Sequence, residues 1–147
     1  MEIVEILLVE DNMNDAELAL MALREYNVAN KIEHVKDGPE ALEFMFRSGK
    51  YSHLDGLPPK VVLLDLKLPK LNGLEVLKEI KNNEKTKKIP VIMLTSSREE
   101  PDIQTAYDLG ANSYIVKPVE FDKFVDALKS VGYYWMLINE SPLKSLN

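Results

Sequence analysis

Short, unbroken apolar runs alternate along this chain with longer stretches in which apolar residues recur every three or four positions. The runs are Ile6–Val9, Val61–Leu64, Val91–Leu94 and Tyr114–Val116. Each is brief and partly β-branched, which predicts parallel strands covered on both faces. Lys31–Val35 alternates more and predicts a strand nearer the sheet edge. After the first run, Ala16, Ala19, Leu20 and Leu23 share one helical face, with Asn14 and Glu17 read as a capping box. Gly38-Pro39 opens a second helix and Gly49 ends it. Gly73 opens a third, with Leu74, Leu77 and Ile80 aligned, and Glu100-Pro101-Asp102 a fourth, closed by Gly110. Phe121, Phe124, Val125 and Leu128 mark a fifth. Strands alternating with helices predict an α/β doubly wound sheet, because parallel neighbours need helical crossovers. The one long connection, Lys50–Lys60, carries Pro58-Pro59 and is read as irregular.

Composition narrows the class. A chain of 147 residues fits one domain, with 46% hydrophobic and 29% charged residues, as expected of a globular protein. Cysteine is absent, which excludes disulfides, thiolate metal sites and a cysteine nucleophile. His34 and His53 lack ligand spacing, so zinc is disfavoured and both are read as surface residues. With 18 basic and 24 acidic residues the net charge is −6, which argues against nonspecific binding to nucleic acid or anionic lipid. The first apolar run is too short for a signal peptide or a membrane span. The expectation is a soluble cytoplasmic domain.

In open parallel sheets the ligand site lies beyond the carboxyl ends of the strands. Glu10 and Asp11 follow the first apolar run, Asp65 the Val61–Leu64 run, Thr95 the Val91–Leu94 run and Lys117-Pro118 the last. Each residue alone has a structural explanation in a turn or helix cap, but all of them fall on one rim. Three carboxylates carry −3 and Lys117 returns +1, so a hard divalent cation balances the sum. Oxygen ligands this few suit magnesium that keeps several waters. A neutralised carboxylate beside an ammonium and a hydroxyl is arranged to receive a phosphoryl group. In that arrangement Lys117 and Thr95 contact its oxygens and Asp65 attacks in line.

Glu10-Asp11, the stretch Val61–Pro69 with Asn72-Gly73, Leu94-Thr95-Ser96 and Tyr114–Pro118 together resemble the receiver domain of two-component response regulators. The match runs in order from about Ile3 to Ser130. The resemblance implies a five-stranded parallel sheet of order 2-1-3-4-5 in a flavodoxin-like three-layer sandwich. It implies that Asp65 accepts a phosphoryl group from a phosphohistidine of a sensor histidine kinase or phosphotransfer protein, with Mg2+ bound. Asp11, Asp65 and the backbone carbonyl of Lys67 would be metal ligands, with Glu10 acting through a water. Thr95 and Tyr114 match the family's switch pair, Lys117 its phosphate-contacting lysine, and Ser96 leaves room for a backbone N–H to reach the phosphoryl oxygens. The Lys117–Pro118 bond is cis in the family, at a cost of about 0.5–1 kcal/mol for proline. Three positions depart or vary: Glu10 stands where aspartate is commoner, and Lys67 and Ser97 sit where members differ in the lifetime of the phosphoryl group. Lys67→Asn is therefore expected to change that lifetime.

The resemblance divides the chain into a receiver domain, residues 1–130, and an extension of the last helix with a tail, residues 131–147. The tail carries Gly132-Tyr133-Tyr134-Trp135-Met136-Leu137-Ile138. It either folds back as extra core or presents a contact surface, since Tyr and Trp are enriched at interface hot spots. The long loop and this tail look like single-domain regulators associated with phytochrome. No DNA-binding segment is evident, so output by protein contact is expected. The surface would be the face of helix 4, strand 5 and helix 5, or the tail, with a downstream protein or a homodimer as partner. Two other classes share the sheet. A flavodoxin-like cofactor carrier needs phosphate-cradling glycines where this chain has Glu10–Asn14, and a phosphohydrolase needs a carboxylate where it has Lys67. A degenerate scaffold receiver is disfavoured because the acidic pair, acceptor, hydroxyl and lysine are all present. The expected behaviour is self-phosphorylation and slow self-dephosphorylation without turnover of free substrates.

Overall fold

The computed structural model describes residues 4–25, 31–54, 58–117, 120, 122–123 and 126. In chain order the elements are β1 (Ile6–Val9), α1 (Met13–Glu25), β2 (Ile32–Val35), α2 (Gly38–Phe46), a 3-10 turn (Gly49–Tyr51), β3 (Val61–Leu64), α3 (Gly73–Lys81), β4 (Val91–Thr95), α4 (Glu100–Asp108) and β5 (Ser113–Val116). The five strands form one parallel sheet in the order β2-β1-β3-β4-β5, as expected. Edge strand β2 is only half buried, and its burial explains the alternation in its sequence.

Strand residues alternate between two apolar layers. Leu7, Val9, Val62, Leu64, Val91 and Met93 pack with Phe44 of α2, Leu77 and Ile80 of α3 and Ala106 of α4. Ile6, Leu8, Val61, Leu63, Ile92, Leu94 and Ile115 pack on the opposite face with Ala16, Ala19 and Leu23 of α1. This period-two division over runs with no polar interruption is what a sheet covered on both sides requires. Phe121, Phe124, Val125 and Leu128, read as the face of a fifth helix, the Lys117–Pro118 bond and the division at residues 130 and 131 with its aromatic tail lie outside the described residues.

Two helix ends differ from the sequence reading. The α1 cap is Asn12, whose Oδ1 accepts the backbone N–H of Asp15 at 2.9 Å. Asn14 is already inside the helix, because the chain turns into α1 directly after the β1 rim. Helix α2 is capped by Asp37 and ends at Arg47 in the left-handed region (φ 55°), not at Gly49. The Arg47 guanidinium donates to the Phe44 carbonyl and stacks 4.7 Å from the Phe44 ring, contacts that offset an unfavourable backbone state.

Candidate phosphoryl site

Register places the rim residues before any side chain is considered. Val9 of β1 is paired with Leu64 of β3, so Glu10 and Asp65 leave neighbouring strands side by side. Their backbone N–H groups stay in the ladder, Glu10 donating to Val35 and Asp65 to Val9. The strand order reverses at β1, and in open α/β sheets that crevice is where ligands bind. Thr95 is the last residue of β4, and the Lys117 N–H continues the ladder onto its carbonyl at 2.9 Å.

The charged groups converge as the sequence suggested. One carboxylate oxygen from each of Glu10, Asp11 and Asp65 lies within 4.8 Å of the others. Glu10 and Asp65 are buried, and Asp11 is exposed. The Lys117 ammonium donates to Glu10 Oε1 at 2.5 Å and to Asp65 Oδ2 at 3.2 Å. Burial pushes the Glu10 carboxyl up to about 7, against the Lys117 hydrogen bond and with the Asp65 charge adding to the rise. For Lys117 burial opposes the charge, but hydrogen bonds to Asp15 and Glu10 outweigh it and hold the ammonium above the ordinary lysine range. An all-oxygen donor set only partly offset by one ammonium fits a hard dication among Glu10, Asp11 and Asp65.

On the other side of the rim the buried Thr95 side chain accepts the Ser97 N–H at 3.4 Å. The Tyr114 hydroxyl donates to the Ser97 carbonyl at 3.0 Å, and Ser97 Oγ donates to Asp102 of α4 at 2.5 Å. Tyr114 is thus tied to the loop between β4 and α4. Ser96 is exposed at the start of that loop, and Lys67 is exposed two residues beyond Asp65.

Two contacts lie beyond the sequence reading. Asp15 of α1 accepts from Lys117 at 2.8 Å. The Asn12 cap three residues earlier places Asp15 in the first turn of α1 beside the rim, and with Asn14 read as the cap the sequence did not point to it. His34, read as a surface residue, is half buried. Its Nε2–H donates to the Glu10 carbonyl at 2.8 Å, because β2 lies against β1 with His34 opposite Leu8. His53 is exposed, as expected. A cavity of about 620 Å3 lined by Met45, Arg47, Pro58 and Thr86 lies at the opposite end of the sheet, away from this chemistry.

Residues 6–129 match the response regulator receiver domain family. The chain is a response regulator receiver. Among solved structures the receiver is similar to the bacteriophytochrome response regulator AtBRR, 50% identical, covering 95% of this chain and 99% of that one with a TM-score of 0.84. It is 35% identical to the response regulator Rcp1 of Synechocystis over 131 residues, 89% of this chain and 88% of that protein. The Mn2+-bound form of Rcp1 superposes with a TM-score of 0.74 over 91% of this receiver and 93% of that chain. A phosphorylated cyanobacterial phytochrome response regulator, RcpA, is 36% identical, covering 93% of this chain and 95% of that one with a TM-score of 0.75. Receivers of this family act in two-component signalling, bind a divalent metal and serve as phosphoacceptor switches. Among the described residues no helix is long and apolar enough to cross a membrane.

Proposed function

We propose that this receiver stores a phosphoryl group on Asp65, taken from a phosphohistidine of a sensor kinase or phosphotransfer protein of the phytochrome-linked kind, and that Mg2+ is its working cation. The observation that carries the reading is the convergence of Glu10, Asp11 and Asp65 on one rim with a single ammonium, Lys117, among them. In the transfer, an Asp65 carboxylate oxygen forms a bond to phosphorus as the P–N bond of the phosphoimidazole breaks. The imidazole keeps the electron pair and takes a proton from water. Asp11, Asp65 and the Lys67 carbonyl would hold Mg2+ directly, and Glu10 through a water. When bound, the cation neutralises charge on the transferring oxygens. Lys117, the Thr95 hydroxyl and the backbone N–H at Ser96 are the chain's own donors to those oxygens. Lys67 stands where a phosphohydrolase would need an acid or base, so the group is stored and lost slowly.

Phosphorylation then draws on the Thr95 hydroxyl and, through Ser97, on Tyr114. The face of α4 and β5, which carries the exposed Tyr107, shifts population toward the form that a downstream protein or a second copy prefers. The test is intact mass after incubation with acetyl phosphate and Mg2+. Wild type gains one phosphoryl group and Asp65→Asn gains none. Equal gain by both proteins, or none by wild type, contradicts the reading.

A further inference from the structure

The Lys117 ammonium has three protons, and three carboxylates take them: Glu10 at 2.5 Å, Asp15 at 2.8 Å and Asp65 at 3.2 Å. The contact to the acceptor is the longest of the three. Asp15 differs from the other two in position and in burial. It is outside the group of carboxylates close enough to share a cation. Its side chain is 36% exposed, against 2% for Glu10 and 9% for Asp65. Asn12 fixes it in the first turn of α1, so the carboxylate is presented to Lys117 from a rigid element.

A phosphoryl group on Asp65 takes over the proton now given to Asp65 Oδ2, and drawing the ammonium in from that 3.2 Å contact means loosening its hold on Glu10 or Asp15. Releasing Glu10 takes a hydrogen-bond donor from a fully buried carboxylate, which costs more than releasing a more exposed one, even beside a dication. Releasing Asp15 returns a carboxylate to water at little cost. We propose that Asp15 is a positioning residue that restrains Lys117 on the α1 side of the rim and competes with the incoming phosphoryl group for its ammonium. The inference rests on the phosphoacceptor reading of Asp65. It adds a brake set by α1: phosphoryl transfer proceeds at the rate allowed by exchange of Lys117 from Asp15 to the phosphoryl oxygens.

The experiment is a double-mutant cycle on the full chain, with Asp15→Asn, Lys117→Gln and the pair, following phosphorylation by acetyl phosphate with Mg2+. In this reaction the P–O bond to acetate breaks, acetate leaves with the electron pair, and an Asp65 oxygen bonds to phosphorus. Asp15→Asn is expected to speed phosphorylation about two- to fivefold in the wild-type background and not at all in the Lys117→Gln background. The Kd for Mn2+, measured by calorimetry without phosphodonor, should stay within about twofold in Asp15→Asn, because the charge removed is outside the carboxylate cluster and screened. An unchanged or slower rate, a gain that persists without Lys117, or a larger loss of Mn2+ affinity overturns the restraint. If wild type takes up no phosphoryl group, the acceptor reading fails and the restraint with it. That outcome is distinct from normal uptake that ignores Asp15.

Discussion

Glu10 ends a buried strand, and its carboxylate has exchanged bulk water for Lys117 and the Asn12 N–H. Burial is the larger effect, so its pKa rises from 4.5 to about 7. The folded chain therefore holds this proton more tightly than the unfolded chain does. Without metal, stability falls as pH rises from about 4.5 to about 7, by at most about 1.4 kcal/mol per pH unit for one proton. Lys117 contributes in another window, since its raised pKa adds stability that is lost only as pH climbs beyond 10.5. Urea unfolding in chelator at several pH values should show the slope in wild type and a flatter profile in Glu10→Gln. Equal slopes would contradict the assignment. At this scale the convergence of Glu10, Asp11, Asp65 and Lys117 on one rim was legible because each of their segments directly follows an apolar run. Asp15 and His34 were not, because each acts on a residue distant in sequence that only the folded sheet brings near.

Among the elements, α3 shows how tightly the loop after β3 is built. Gly73 begins the helix and donates its N–H to the Leu66 carbonyl at 2.7 Å. A Cβ at this position would overlap the Asp65 carbonyl oxygen, so the helix start and the end of β3 touch backbone to backbone. Gly73→Ala is expected to cost about 1–3 kcal/mol, because the atoms in the way are backbone that cannot swing aside. It should also slow phosphorylation by shifting Asp65. Chemical denaturation and the acetyl phosphate assay check this together, and a variant equal to wild type in both would show that the loop has slack. Strand positions were legible because four uninterrupted runs leave little alternative. Helix ends were less so: Asn12 and Asn14 are both good caps, and only the path of the chain out of β1 selects the first. Gly49 suggested the end of α2, yet Arg47 takes the left-handed position because Phe44 offers its guanidinium both a carbonyl and a ring face.

Across the whole molecule, strand parity accounts for the division of labour at the rim. Leu8, Leu63 and Ile115 belong to the α1 layer, and Glu10, Asp65 and Lys117 follow each of them by two residues. The charged groups are therefore delivered to the α1 side. Tyr114 packs against the other layer and meets Ser97 there. The carboxylate cluster and the Tyr114 contact thus sit on opposite faces of one sheet, joined at Thr95 and its loop. The alternation of strands and helices made the doubly wound class legible. The strand order did not follow from periodicity: it came with the family resemblance, since hydrophobic pattern does not say which parallel strands are neighbours. The central claim is that carboxylate clustering, relieved by a dication, makes Asp65 the phosphoryl store. The most direct measurement is borohydride reduction of the protein after acetyl phosphate treatment, followed by peptide mass mapping. The account predicts reduction to homoserine at position 65 alone, present with Mg2+ and lost in chelator. Reduction at Asp11 or Glu10 instead, or a yield at position 65 that ignores the metal, would contradict it.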